Sequence, residues 1–209
     1  YHDAMGRTLA YDALAVGAVH DDLTESLTLT RESADWLVVK RGPELTEAYE
    51  RRGAHYRLAY LQTRNGAQII LDYDAKHRLS RLGYAEGVLG FRHDAAGRIS
   101  EILQFDRSGD PVSTQPLARY QYAENGDLLV AFDRFGNRRD YAYQHHLVTR
   151  YTDRTGRGIT LEWDDIKASA RCVREYADDG SLDIRLHWHN DMRLTEVTDA
   201  SGGRTLYWY

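Results

Sequence analysis

The sequence predicts an all-β fold of antiparallel hairpin repeats that form a coiled ribbon. Three observations carry this. Leu128, Val130 and Phe132 alternate with Leu129, Ala131 and Asp133, the two-residue period of a strand. Asn125-Gly126 separates that run from Tyr120 and Tyr122, and Asn-Gly supplies the positive backbone angles of a two-residue hairpin turn. The unit then repeats, since Asp133-Arg134-Phe135-Gly136-Asn137 forms another turn and Tyr141 and Tyr143 open the next copy.

In chain order, residues 1–55 read as an opening β segment of different texture. Leu27 and Leu29 alternate with Ser26, Thr28 and Thr30, Glu32 to Asp35 make a turn, and Trp36 to Val39 form a second β run. Residues 43–52, with Pro43 at one end and Gly53 beyond the other, suit a short helix. The alternation of Leu45, Glu47 and Tyr49 favours a strand instead. Residues 56–209 read as the repeat sheet proper, continuous with the opening segment. It begins with a strand, a turn at Asn65-Gly66 and a second strand. Residues 107–116 hold Pro111 and Pro116 and form a longer loop between units. Residues 164–173 suit a helix or a bent strand pair equally well. No stretch is rich enough in Gly, Ser or Pro to mark a linker.

In five places an aromatic residue or His is followed six positions later by Leu or Ile: Tyr73 to Leu79, His93 to Ile99, Tyr122 to Leu128, Tyr176 to Leu182 and Trp188 to Leu194. Asp74, Asp94, Asp133, Asp153 and Asp199 fall at equivalent turn positions, where the side chain binds nearby backbone N–H groups. Gly97, Gly126, Gly136, Gly156 and Gly180 belong to the same turns; none precedes a helix carrying Lys and Ser or Thr, so none makes a phosphate loop.

Composition narrows the function. Fifteen Tyr against four Phe and three Pro favour half-buried pleated surfaces. A net charge of −5 with scattered Lys and Arg argues against nucleic-acid binding. Cys172 stands alone, so an internal disulfide and a thiolate metal cluster are both excluded, and it reads as a small strand residue. No apolar run approaches the ~20 residues of a membrane span. His187 and His189 share one face of a strand near Asp191, a spacing that metal sites use. A third ligand would have to come from elsewhere, with His145-His146 the other His pair, so both imidazoles read as lining the wetter face. Paired acids flanked by aromatics would suit a glycosidase, but the recurrent acids already have turn duties. The reading is therefore a non-enzymatic segment without cofactor, metal or catalytic group.

The segments YDAKHRL, HDAAGRI, YAENGDL and YADDGSL resemble the tyrosine-aspartate (YD) repeat, and their density among DRFGN and DRTGR turns is similar to proteins of the Rhs family. The opening YHDAMGRTLAYDAL resembles the start of the repeat shell in that family. The resemblance implies a hollow β shell around a carboxy-terminal toxin domain, in a bacterial polymorphic toxin held in the cytoplasm before export and then secreted or delivered into target cells. It further implies type VI secretion, with a spike protein and a small chaperone as partners beside the rest of the chain itself. Asp110-Pro111 does not match the Asp-Pro-x-Gly-Leu type of motif at which such shells cut themselves, so self-cleavage is expected beyond Tyr209. The start at Tyr1 and the finish within TLYWY lead us to expect a fragment of a longer protein. In isolation its strand edges would favour self-association. A surface adhesion or carbohydrate-binding module, with Tyr and Trp as stacking platforms, is the competing class, and a glycosidase is a distant third.

Overall fold

The computed structural model describes residues 1–3 and 6–208. Ala4 and Met5 of the opening motif and Tyr209 of the final TLYWY run lie outside the described residues. The fold is all-β. Its strands are β1 (Val19–Asp22), β2 (Leu27–Arg31), β3 (Trp36–Arg41), β4 (Leu45–Arg52), β5 (His55–Thr63), β6 (Gln68–Tyr73), β7 (Leu79–Tyr84), β8 (Gly87–His93) and β9 (Ile99–Phe105). They continue as β10 (Ala118–Tyr122), β11 (Leu128–Asp133), β12 (Arg138–Gln144), β13 (Leu147–Thr152), β14 (Gly158–Trp163), β15 (Cys172–Ala177), β16 (Asp183–His189), β17 (Leu194–Thr198) and β18 (Arg204–Trp208). One 3-10 turn, Asn190–Met192, interrupts them.

Among the described residues these 18 strands belong to one sheet. From β1 to β8, and again from β9 to β18, each strand pairs antiparallel with the next in the chain. The change of sequence texture near residue 55 brings no break in pairing, since Arg52 of β4 faces His55 of β5. Two compact units can be distinguished, one of residues 1–91 and 104–113, the other of 92–103 and 114–209.

In the first unit the strand period decides which side chains are buried. Leu29 faces Val39 and Val39 faces Glu47 across β2, β3 and β4. On that face Leu27, Leu29 and Val39 are buried beneath Tyr1, Leu9, Tyr11 and Leu14 of the opening segment. Full burial of a side chain such as Val39 stabilises the fold by roughly 1.5–3 kcal/mol. The opposite face buries Val38 and Ala48. Near the end of β9, the Phe105 ring covers Gly90, where a Cβ would come within 2.8 Å of Cε2. The second unit buries Val130, Ile159, Ala177 and Leu194, with Ile159 directly opposite Ala177.

Several expectations are corrected. Asn65-Gly66 and Asn125-Gly126 do lie in hairpin turns, but the loops are three residues long. Thr63 N–H donates to Ala67 O and Ala123 N–H to Asp127 O. Only Gly66 and Gly126 have positive φ, and the Asn residues do not. A single left-handed residue followed by a bulge gives the same reversal as two left-handed residues. Residues 164–171 are neither helix nor strand pair. They form a loop closed by Asp164 N–H to Arg171 O, and β15 starts only at Cys172. The six-residue spacing gives direct cross-strand partners for Tyr73 and Leu79 and for Tyr122 and Leu128. Trp188 instead faces Thr195 and Tyr176 faces Asp183. Leu182 stands before β16 and accepts the Ala177 N–H, because the Gly180 turn is one residue longer. Strand β1 was not anticipated.

Candidate functional surface

The recurrent residues build one local device. In each Asp-led turn the Asp donates its N–H to the carbonyl four positions on and accepts from the residue three positions on, as in Asp94 N–H to Arg98 O and Gly97 N–H to Asp94 O. Asp133, Asp153 and Asp199 start turns of the same form, closed through Gly136, Gly156 and Gly202. In the Asp74 turn, His77 takes the left-handed place at φ +65°.

The carboxylate locks the loop. Oδ1 of Asp74 accepts the N–H groups of Lys76 and Arg78, both at 2.9 Å, and Oδ2 accepts Arg78 Nε–H at 2.8 Å. Asp94 binds Arg98 and Asp153 binds Arg157 in the same two ways. In the Asp133 turn an Asn137 amide replaces the guanidinium at 2.9 Å. Asp199 accepts from Ser201 and Gly203. These donors favour the ionised form. The Arg78 backbone N–H and guanidinium hold Asp74 at about 2. The Thr155 hydroxyl does most to hold Asp153 at about 2. Asp94 is lowered chiefly by the Arg98 N–H, Asp133 by the Asn137 amide and Asp199 by the Ser201 hydroxyl.

The aromatic half of the device sits at the strand ends. Opposite Tyr73, Tyr122, Tyr143 and Trp163 the following strand carries a β-bulge, with Ser80, Leu129, Thr149 and Val173 as the extra residues. A bulge increases the local twist. The polar tip of the aromatic reaches back to the preceding strand. Tyr73 Oη donates to Leu58 O at 2.8 Å, Tyr122 Oη to Ile99 O at 2.8 Å, and Trp163 Nε1 to Val148 O at 2.7 Å. Tyr143 meets the Leu128 backbone. Trp188 Nε1 makes the same bond to Cys172 O at 2.8 Å without a bulge. Burial raises the Tyr73, Tyr122 and Tyr143 hydroxyls, so they stay protonated donors. Tyr176 lies under Arg174, whose guanidinium is 4.4 Å from the ring centroid.

Side chains then join one turn to the next. Arg98 Nη1 donates to Ala123 O at 2.9 Å, and Asp127 in that turn lies 2.8 Å from the His146 ring in the one after. Further on, Arg171 bonds Asn190. Along the other row, Arg157 Nη1 donates to Ser181 Oγ at 2.6 Å. In the first unit Tyr56 Oη donates to Ala34 O at 2.9 Å and Arg57 to His77 O. The Arg four places after Asp3, Asp74, Asp94 and Asp153 was missed in the sequence, although Asp-x-x-x-Arg recurs there.

The other candidates lie apart from this pattern. His187 and His189 meet edge to face with ring centroids 4.4 Å apart. His187 faces Glu196, which pairs with Arg204 at 3.2 Å. Asp191 lies in the 3-10 turn, and His145 and His146 form a tight turn with positive φ at both. Among the described residues no three His, Cys, Asp or Glu come together as a metal set. Burial raises the Cys172 thiol, whose Sγ lies 3.3 Å from Arg174 O. No helix is long and apolar enough to cross a membrane, among the described residues.

A second polar centre, not anticipated, surrounds buried Glu47. Its Oε1 accepts Arg41 Nε–H at 2.8 Å, and its Oε2 accepts Tyr1 Oη at 2.8 Å and Tyr49 Oη at 2.6 Å. The carboxylate is paired with one guanidinium and accepts two hydroxyl bonds, which offsets part of the cost of burying it. Burial and that carboxylate raise both tyrosine hydroxyls.

No family model matches this sequence. Toxin protein Tse5 of Pseudomonas aeruginosa is 26% identical to it over an alignment of 251 positions, which takes in 96% of this chain and 18% of that protein. The chain therefore spans less than a fifth of the length of the curated relative it matches.

Proposed function

We propose that this chain is a wall segment of a bacterial Rhs-type polymorphic toxin, a β structure that encloses a toxin domain carried elsewhere in the same protein. The observation that carries the reading is the double use of each repeat. The turn Asp fixes its own hairpin while its Arg or the strand-end aromatic ties that hairpin to a neighbour. A ribbon built this way extends strand by strand without a separate core for each hairpin, which suits a thin wall. Similarity to Toxin protein Tse5 along 96% of the chain supports the same reading. On it the repeat positions are structural and this segment performs no chemistry. Residues 1–55 open the wall and 56–209 continue it. Export through a type VI apparatus, with a spike protein and a chaperone, belongs to the same proposal.

The adhesion reading needs aromatic faces free to stack on a sugar. Tyr73, Tyr122, Trp163 and Trp188 have their polar tips tied to backbone carbonyls instead. Limited proteolysis of the intact protein tests the choice. A container keeps the toxin region resistant, and loosening the ribbon by Arg98→Gln with Arg157→Gln exposes it. A toxin region that is digested freely in the unaltered protein, or glycan-array binding by residues 1–209 alone, returns the assignment to adhesion.

A further inference from the structure

A cleft of about 580 Å³ in the first unit is left unused by the wall-building contacts. Its floor is the face of β2 to β4 that carries Leu29, Leu37 and Tyr49, and its far wall holds Arg51, His55 and Tyr56. Tyr11, Asp12, Ala13 and Leu14 of the opening segment form the near wall. We propose that this cleft binds an extended peptide segment that presents carboxylate side chains beside apolar ones.

Charge is the first argument. Arg31 and Arg51 both line the cleft, and among the described residues neither is paired with a carboxylate; their bonds go to backbone carbonyls. Arg31 donates Nη1–H to Leu14 O at 2.8 Å and Nε–H to Ser33 O at 3.4 Å; Arg51 donates Nε–H to Gly53 O at 3.1 Å. Donors remain on both guanidiniums. The register runs from Arg31 to Leu37 to Tyr49, with Arg51 two residues further on the same face of β4. The two positions are thus two strand spacings across and two residues along the sheet from each other, ~12 Å, with an apolar floor between them. Glu47 offers them no neutralising charge, because Arg41, Tyr1 and Tyr49 already saturate it. Asp12 is the carboxylate among the lining residues, and it is exposed at the rim.

The wall explains why a peptide fits better than a compact anion. Residues 10–14 lie outside any strand, and among the described residues none of their N–H groups makes a backbone hydrogen bond. Apart from Leu14 O, which Arg31 takes, these main-chain groups are left to pair with an extended segment, as an exposed strand edge does. Main-chain pairing there places alternate side chains toward half-buried Leu37 and Tyr49 and toward the guanidiniums. This inference stands independently of the container reading.

The probe is a fluorescein-labelled eight-residue peptide of alternating Leu-Leu and Glu-Glu pairs, titrated against the intact protein by fluorescence anisotropy. Saturable binding is expected, weakened about tenfold or more by Arg51→Gln or by replacing the glutamates with glutamines, and weakened by added salt. Among the described residues the Arg51 guanidinium hydrogen-bonds one backbone carbonyl, so its variant should fold, which circular dichroism checks; Arg81→Gln on β7, outside the cleft, should bind as the unaltered protein does. No saturation by 1 mM peptide, equal binding of the glutamine peptide, or unchanged binding by Arg51→Gln would overturn the proposal. So would benzoate binding as tightly as the peptide, which would assign the cleft to small carboxylates.

Discussion

Arg98 belongs to two hairpins at once: its Nε–H donates to Asp94 Oδ2 at 2.7 Å within its own turn, and its Nη1–H donates to Ala123 O at 2.9 Å in the turn between β10 and β11. The same guanidinium lies 4.6 Å from the centroid of the Tyr122 ring. One side chain thus couples turn geometry, strand-end packing and hairpin order. Arg98→Lys keeps the charge but loses the planar fork. It is expected to lower the unfolding temperature, and Arg98→Gln more so. Thermal unfolding by near-ultraviolet circular dichroism reads both.

The strand-end aromatics should matter through their polar tips. Tyr122→Phe and Tyr73→Phe keep the ring and remove the donor to Ile99 O and Leu58 O. Each should cost about 1 kcal/mol in urea unfolding. A cost near zero for both would mean that the rings act by packing alone.

Close approach of β8 and β9 gives a sterically determined prediction. A Cβ on Gly87 would run into the Phe105 carbonyl, which is backbone and has little room to yield. Gly87→Ala should destabilise by about 1–3 kcal/mol. The Val39→Ala change should cost roughly 2 kcal/mol, because the residue is completely buried.

Acid should weaken the turns. Asp74 and Asp153 are held at about 2, below the ordinary carboxylate value near 4. A depressed folded pKa contributes stability that is present above the unfolded value and lost as pH falls through the folded one. Stability should therefore decline between about pH 4 and pH 2. Asp153→Asn should flatten that decline, as urea midpoints across the range will show.

Alkali should act on the first unit. Burial, then the bond to Asp22, pushes the Tyr11 hydroxyl up to about 12. A raised folded pKa contributes stability that is full below the unfolded value of 10 and lost as pH rises through the folded one. Stability should fall between pH 10 and about 12, and less so in Tyr11→Phe.

Much of this architecture was readable because both of its signals are local. Period-two alternation placed β2, β3, β5, β6 and β11, and it favoured strand over helix at β4. The turns were visible as Asp, Asn and Gly, although which residue turns left-handed depends on a bulge in the neighbouring strand. The Arg31 and Arg51 cleft was not readable. It requires knowing that Tyr1, Leu9, Tyr11 and Leu14 pack against Leu27, Leu29 and Val39 of β2 and β3, a long-range packing event with no local signature. The loop at 164–171 misled because its composition tolerates a helix, whereas Asp164 and Arg171 close it as an irregular turn.

Electron cryomicroscopy of the intact protein tests the container most directly. The account predicts a continuous antiparallel wall, with β1 to β18 in register as one stretch of it, around a lumen holding density for the rest of the chain. An open ribbon with solvent on both faces and the remaining chain outside it would contradict the account.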